Sequence, residues 1–478
     1  MSFESEHVVE TVSTPTSRMV YLLAISGVAA LGGLLFGYDT AVISGAIGYL
    51  ESHFQLDKAA TGWAASSALV GCIIGAAGAG QVGDRFGRKP SLLACGVLFA
   101  VTAAWSALPS SLSELATARI LGGVAIGGSS VLAPLYLAEI APAALRGILV
   151  SLNQLGIVVG IVAAFFVNYL IQASGTEAWN IETGWRWMFV AAAFPAIVFF
   201  CLLFFIPESP RWLYKQGRVD SAKRILERIS SPEIAAAQMR EIGETLREEQ
   251  GRFGELFGPA LRRPLVLGVG LAFLQQMTGI NAIMYYAPEV FKSSGASTDS
   301  AFFQAVSVGG VNLLFTLVAM ALIDRFGRRF LMLMGALLQA VFLIGVWWSF
   351  QQGATNRWVL ACVLLYVAAF ACSFGPVVWV VISEIFPTRI RGRAMSLATL
   401  TLWVACYLVS QTFPMLVERI GAGNSFLIYA AMSLLSLVFI AWLLPETKGR
   451  SLEEIQRDWH TSVDDGPQAM AIPQPHEL

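Results

Sequence analysis

Leu274-Gln275-Gln276-Met277-Thr278-Gly279-Ile280-Asn281-Ala282-Ile283-Met284-Tyr285-Tyr286 lies inside an apolar run that opens after Pro264 and closes near Pro288. Hydrocarbon offers no hydrogen-bond partners, so three amides and two tyrosines in one membrane-length segment are costly. A single amide reads first as glue between packed helices. Three of them around a glycine read differently. On an ideal helix Gln276 and Asn281 point roughly 140° apart. They meet in one cavity only if the helix loosens, and Thr278-Gly279 is where it can. Helices broken at mid-membrane are a way to build a binding site between bundles. Neutral amides beside aromatic rings suit a neutral polyhydroxylated ligand, because amides exchange hydrogen bonds with hydroxyls and rings cover the apolar faces of a sugar.

The rest of the chain agrees with a membrane setting. Of 478 residues, 56% are hydrophobic and 13% charged, against about 25% charged in soluble proteins. The class expected is an all-α polytopic membrane protein. A net charge of −1 gives no footing for nucleic acid. The cysteines at 72, 95, 201, 362, 372 and 406 fall in apolar runs without metal-type spacing and read as small core residues. The histidines at 7, 53, 460 and 476 lie in tails or a short loop, so neither a metal, a cofactor nor an enzyme centre is expected. No phosphate-binding Gly-x4-Gly-Lys-Ser/Thr loop is present, which argues against ATP as the energy source. Residues 1–17 lack the basic region of a cleaved signal peptide, so the first apolar run is expected to stay as a span. The lack of an Asn-x-Ser/Thr sequon favours a bacterial origin.

Twelve spans are expected at 19–41, 62–83, 90–108, 114–137, 148–172, 185–206, 264–287, 301–323, 329–350, 357–382, 394–415 and 424–444. The connections holding Arg85, Arg88 and Lys89, then Arg146, then Arg325, Arg328 and Arg329, then Arg389, Arg391 and Arg393 are basic. So are the long connection between spans 6 and 7 and the tail after Pro445. The other side is expected to hold Lys58, Lys292, Arg357 and Arg419. By the positive-inside rule both termini are cytoplasmic.

The chain repeats itself. Gly-Asp-Arg-Phe-Gly-Arg-Lys at 83–89 returns as Ile-Asp-Arg-Phe-Gly-Arg-Arg at 323–329, Glu139 to Gly147 returns at Glu384 to Gly392, and Pro-Glu-Ser at 207–209 returns as Pro-Glu-Thr at 445–447. Three matches at nearly one offset imply two homologous six-helix halves, with a ligand bound between them. The expected division is a tail at 1–18, a bundle at 19–206, a cytoplasmic helical linker at 207–263 with amphipathic pieces at Ala222–Ile229 and Ile234–Glu248, a second bundle at 264–444 and a tail at 445–478.

These motifs together resemble the sugar porter family of the major facilitator superfamily. The resemblance runs from about residue 19 to 460. It rests on Gly-Arg-Lys and Gly-Arg-Arg after Asp-Arg, Pro-Glu-Ser-Pro-Arg-Trp-Leu at 207–213, Gln-Gln-Met-Thr-Gly-Ile-Asn at 275–281 and Pro-Glu-Thr-Lys-Gly at 445–449. Within the family the chain is most similar to bacterial proton–sugar symporters and next to facilitative glucose transporters. The resemblance implies sugar contacts at Gln154, Gln275, Gln276, Asn281, Asn312 and Trp379, with Phe36, Tyr285, Tyr286 and Trp403 lining or gating the cavity. Most of these are the scarce polar or aromatic residues of otherwise apolar runs. For Trp379 the plain alternative is an interfacial anchor, and for Tyr285 and Tyr286 it is the ordinary abundance of Tyr near a membrane boundary. One position departs from the pattern: the family carries an amide before the tryptophan of span 11, and here Leu402 precedes Trp403.

Intramembrane ionisable residues are functional candidates by default. Asp39, expected near the outer end of span 1, and Arg119, about 8 Å past the outer start of span 4, stand at similar depth and can pair. A static ion pair is the alternative. Burial raises a carboxyl pKa and a neighbouring Arg lowers it, so relative motion of the two can load or release a proton. In the family, members with this Asp are symporters and facilitative members carry Asn, so the resemblance implies proton coupling. A third set, Asp84, Arg85, Arg88, Glu139, Arg146, Glu208, Arg211, Asp324, Arg325, Arg328, Glu384, Arg391 and Glu446, alternates acids and bases in corresponding places of both halves. The resemblance implies a cytoplasmic salt-bridge gate that closes the inner side in the outward-open state. Pro134 and the Gly375-Pro376 pair are expected to break helices for gating. The partners implied are a monosaccharide, a proton and the bilayer of a cell membrane, with one chain holding a complete pathway. A sugar uniporter and a non-transporting sugar sensor use the same residues and stay open at this point.

Overall fold

The computed structural model describes residues 16–142, 145–248, 253–353, 356–386 and 388–448. Twelve of its helices are long and apolar enough to cross a membrane: Ser17–Phe54, Lys58–Phe86, Arg88–Ser106, Leu112–Ile140, Arg146–Ala173 and Glu177–Leu203 (spans 1–6), then Arg262–Ser293, Thr298–Ile323, Arg328–Gln351, Asn356–Ile385, Ile390–Ile420 and Ala422–Leu443 (spans 7–12). No strand occurs among the described residues. Between spans 6 and 7 lie three short helices, Pro210–Lys215, Val219–Ile229 and Pro232–Glu248, and two 3-10 turns. The amphipathic pieces expected there are therefore present. Twelve crossings return the chain to the face on which span 1 begins, here called the terminal face.

Two boundaries differ from expectation for physical reasons. Span 1 does not stop at 41 but continues to Phe54, 38 residues in all, or about 57 Å at 1.5 Å per residue. Asp39 is thus well inside the helix and not near its end. The helix tolerates the carboxylate because its charge is answered within the bundle, and Ala41, Val42, Ile43, Ala46, Ile47 and Leu50 beyond it are all buried. Span 6 starts at Glu177, earlier than 185, because the Thr176 side chain accepts from the Trp179 amide and a π-helical turn, Asn180–Gly184, carries the chain into the membrane.

Spans 1, 2, 3 and 6 pack around spans 4 and 5, while spans 7, 8, 9, 11 and 12 pack with one another and with span 10. The two groups meet where span 2 lies on span 11, span 5 on span 8, and span 1 on span 7. Close crossing depends on small residues, as expected where lipid gives no hydrophobic drive for association. A Cβ at Gly71 of span 2 would overlap the Ile120 carbonyl, and one at Gly123 of span 4 would overlap that of Ala68. Outward, Phe194, Phe205 and Trp442 are at least 75% exposed, the apolar belt that a bilayer covers. Proline is handled in two ways. Span 10 breaks at Ser373 (φ −132°, ψ −86°), three residues before Pro376, as expected. Pro134, expected to break span 4, is instead carried inside the continuous helix Leu112–Ile140.

Gly123→Val is expected to destabilise the first bundle by about 1–3 kcal/mol, the range for overpacking. A lowered melting temperature of the detergent-solubilised protein checks it, with Gly78→Val, where a Cβ meets open space, as the neutral comparison.

Candidate functional site

Span 7 is two helices. The first ends at Met277, Thr278 caps it, and Gly279 sits in the left-handed region (φ 90°, ψ 13°) before the second begins at Ile280. Only glycine takes that conformation without strain, and a Cβ there would also overlap the Tyr429 ring of span 12. The break rotates Asn281 back toward Gln276, and the Asn281 amide donates to the Gln276 side-chain carbonyl. The convergence that an ideal helix forbids is thus made by the glycine.

The break in span 7 faces the break in span 10. Gln275 Nε2 donates to the Phe374 carbonyl at 2.6 Å, and the Tyr366 hydroxyl of span 10 donates to the Thr278 carbonyl at 2.9 Å. Gln275 thus braces the two breaks against each other, and its Oε1 is buried without a partner. Tyr286 is buried, and its hydroxyl donates to the Ser410 carbonyl at 2.8 Å. Tyr285 is buried beside Cys406. Gln154, Asn281, Trp379 and Phe36 are half-buried, and Asn312 is buried. Phe36 of the first bundle meets Trp403 of the second at 5.4 Å between ring centroids. Trp403 Nε1 is buried without a partner, and the neighbouring Leu402 offers none.

Asp39 and Arg119 pair as expected. Arg119 Nη1 donates to both carboxylate oxygens at 2.8 and 2.9 Å, and Nη2 to the Asp39 backbone carbonyl at 3.0 Å. The guanidinium is 2% exposed and lies over the Phe189 ring at 5.5 Å. Two opposite charges buried this deeply are stable only as a pair.

On the terminal face each half builds the same knot. In the first, Arg88 donates to both Glu139 oxygens (2.9 and 2.8 Å) and to Asp84 (2.9 Å), while Glu208 accepts from the Arg88 and Lys89 amides (3.0 and 3.2 Å). In the second, Arg328 donates to Glu384 (2.9 Å), and Glu446 accepts from the Arg328 and Arg329 amides (3.0 and 3.1 Å). Each carboxylate thereby caps the first turn of the following span, where helix N-termini favour negative charge. Gly87 and Gly327, both at positive φ, leave room for it. Arg88 pairs with Glu139 and Arg328 with Glu384 inside one half each, and the linker is tied in by Arg146 to Glu241 (3.3 Å) and Lys215 to Asp84 (3.0 Å). Arg85 and Arg325 are exposed, Arg211 lies on the first linker helix, and Arg391 donates to the Phe386 carbonyl at 3.4 Å. The side chain of Asp324 lies outside the described residues.

The opposite face is where the halves join, through residues that sequence reading passed over. Ser66 donates to Gln411 Oε1 (2.7 Å), Gln411 to the Ala59 carbonyl (3.0 Å), and Gln172 to Asp299 (2.8 Å). Lys292 pairs with Glu289 (3.0 Å) and lies over the Tyr49 and Phe302 rings. Gln172 and Gln411 carry the same signal as the amides of span 7, a carboxamide in an apolar run.

Comparison with known proteins agrees with this geometry. The family described as "Sugar (and other) transporter" matches residues 25–459. The chain belongs to that family. It is a family of transporters and not of enzymes. The chain is 43% identical over 448 residues to the arabinose-proton symporter of Bacillus subtilis, covering 93% of this chain and 97% of the relative. It is 42% identical over 473 residues to the D-xylose-proton symporter of Escherichia coli, covering 92% and 96%. Among solved structures it is similar to the xylose transporter XylE of E. coli in a partially occluded inward open conformation (TM-score 0.83, 40% identity, 90% of this chain and 100% of that one). It is also similar to that symporter bound to 6-bromo-6-deoxy-D-glucose (TM-score 0.80, 42% identity, 92% and 99%). The fold is therefore two pseudo-symmetric six-helix bundles of the major facilitator type.

The two capping carboxylates differ. Burial raises the Glu208 pKa above the usual carboxylate range despite the amides it accepts from. Burial works against Glu446 too, but the amides of Lys448, Arg328 and Arg329 outweigh it and hold its pKa below that range. Glu446 thus contributes stability present above the ordinary carboxylate pKa and lost as pH falls through its lowered one. Glu208 favours its protonated form, a contribution lost as pH rises through its raised pKa. Glu446→Gln is expected to lower the melting temperature at neutral pH more than Glu208→Gln does. Thermal melts of both variants in detergent test that order.

Proposed function

We propose that this chain carries a neutral monosaccharide, hexose or pentose, together with a proton across a bacterial cell membrane by alternating access. The observation that carries the reading is the sealed Asp39–Arg119 pair in one bundle, next to a set of neutral amides around a broken helix in the other. Gln276 and Asn281 would part from each other to take sugar hydroxyls, with Gln154, Asn312 and Trp379 completing the contacts and Phe36 and Trp403 covering an apolar face. Gln275 would hold the two breaks in register. Asp39 would carry the proton, its affinity set by how closely Arg119 answers it.

The terminal face is read as cytoplasmic from its Lys and Arg excess. Arg186 joins the cations of the opposite face, since it donates to the Ala107 carbonyl in the connection between spans 3 and 4 (2.8 Å). The halves then touch on the outer side, and the structure is read as inward-facing, in line with its likeness to the inward open XylE. In the outward-facing state the two Arg–Glu knots would meet and close the inner side. Individual exposed pairs contribute roughly 0–1 kcal/mol, but a network made in one state only biases the alternation. The proposed domains are the bundles 19–206 and 264–444 joined by the linker 207–263, and one chain would hold the complete pathway. The relatives named as arabinose-proton and D-xylose-proton symporters favour this reading over a uniporter.

Sugar uptake into proteoliposomes tests it, with and without an inward proton gradient, using xylose, arabinose, glucose and galactose. The gradient is expected to drive accumulation by the native chain, and Asp39→Asn to leave exchange or downhill flux only. Uptake that merely equilibrates whatever the gradient would make the chain a uniporter and Asp39 a structural residue.

A further inference from the structure

A proton on Asp39 leaves Arg119 holding its charge inside the bundle without its partner, and an unpaired buried cation is costly. Among the described residues Asp39 is the one carboxylate within ion-pair distance of Arg119. Against the guanidinium the structure also sets a ring: the Phe189 centroid of span 6 stands 5.5 Å from it, within the roughly 6 Å over which a ring face attracts a cation. The backbone of span 6 aims that ring. The span enters through the π-helical turn Asn180–Gly184, anchored where the Asn180 amide donates to the Gln172 carbonyl at the end of span 5 (3.0 Å). Such a turn carries one residue more than an α-helical path, and one residue is about 100° around a helix. With the extra residue Trp185 and Phe189 are both buried, while Trp187 and Phe194 are exposed on the outer surface; without it both rings would turn off the pair. Trp185 backs Phe189 at 6.3 Å between centroids, and its Nε1 donates to the Ile181 carbonyl (3.1 Å). Phe54 and His53, from the end of span 1, close the column on Trp185 at 6.0 and 5.5 Å.

We propose that Phe189 is a positioning residue for proton loading, its ring holding the Arg119 charge while Asp39 is protonated. This rests on the symport reading. An ion pair presents little net charge to the ring, whereas the same guanidinium beside a neutral carboxyl presents a full one. The ring therefore stabilises the proton-loaded state more than the ion pair, and lowers the cost of placing a proton on Asp39. It also keeps the guanidinium within reach of Asp39, so that the pair reforms once the proton leaves.

Asp39 faces Arg119 from span 4 directly, beside its own neighbour Tyr38. Cys72 of span 2, Tyr285 of span 7 and Cys406 of span 11 are the further ionisable groups within electrostatic reach. Thiols and phenols ordinarily titrate above about pH 8. Span 3 meets span 4 here through Thr102, whose Oγ1 would stand 3.0 Å from a Cβ on Gly122. Span 5 meets span 1 through Gly160, where a Cβ would stand 2.8 Å from the Tyr38 amide nitrogen. At the outer end of the column span 6 adds Arg186, over the Trp185 ring at 4.3 Å, and span 1 adds His53.

The test uses the full chain in proteoliposomes with D-xylose, or whichever sugar the native chain accumulates, and reads the pH midpoint of counterflow and the uptake above that midpoint. Phe189→Leu removes the ring and keeps an apolar side chain. It is expected to move the midpoint down by about half to one pH unit, the scale of a desolvated contact between cation and ring. Uptake above the midpoint is then expected to fall roughly three- to tenfold, the same shift read as proton occupancy. A ring-fluorinated phenylalanine at 189 keeps the shape, draws charge off the ring face and is expected to move the midpoint the same way. Phe189→Tyr keeps the face and is expected to hold the native midpoint. Two changes are expected to leave it in place: Phe199→Leu, a buried ring of the same span packed on Gly32 and Gly96, and His53→Phe, which removes the imidazole as a source of pH dependence. Should Phe189→Leu misfold, seen as loss of a monodisperse, cooperatively melting species, the fluorinated ring carries the test. An unmoved or raised midpoint in both Phe189→Leu and the fluorinated chain, or an equal shift in Phe199→Leu or His53→Phe, overturns the proposal. A native chain with no pH dependence overturns the symport reading itself, a separate outcome.

Discussion

Two interrupted helices hold each other open in the middle of the membrane. A break in a spanning helix frees backbone carbonyls and amides where no water can answer them, so each break needs partners from protein. Here spans 7 and 10 supply partners to one another: Gln275 of one reaches the Phe374 carbonyl of the other, and Tyr366 answers the Thr278 carbonyl. Once these contacts are made, Gln276 and Asn281 are free to meet, and Ile280–Ser293 runs on as a separate helix.

Against this local asymmetry stands a repeated frame. The Arg88–Glu139–Glu208 knot and the Arg328–Glu384–Glu446 knot use corresponding residues in the same order, each with a positive-φ glycine beneath a capping carboxylate. Such a knot stiffens the terminal end of its own bundle and leaves the surface between bundles free to change. The contacts across the halves gather on the other face, made by neutral amides and one lysine on aromatic rings. A molecule closed on one side by weak, exchangeable contacts and stiffened within each half on the other is suited to rocking about a central site.

Much of this was legible in the chain. Amides and a glycine in an apolar run gave away the break at Thr278-Gly279, because hydrocarbon makes every buried polar group conspicuous. The double occurrence of Asp-Arg-Phe-Gly-Arg and of Pro-Glu-Ser/Thr marked two halves and their knots. Asp39 and Arg119 were matched by depth alone. The extension of span 1 to Phe54 was not legible, since a carboxylate at 39 looks like an end until its partner is known. Adjacent glutamines also look alike in sequence, and only the structure shows that Gln275 reaches the Phe374 carbonyl while Gln276 accepts from Asn281.

The sequence by itself determined the class, the twelve spans, the two-fold repeat and which polar residues stand out in the apolar runs. Those follow from composition, period and the cost of polar groups in hydrocarbon, which are local properties. The tertiary structure decided which amide faces which carbonyl, on which face the halves join, and how Arg119 comes to stand between Asp39 and the Phe189 ring. These depend on the register between helices far apart in the chain. Register is set by where glycines let backbones touch and where freed carbonyls find donors, and no single segment carries that information.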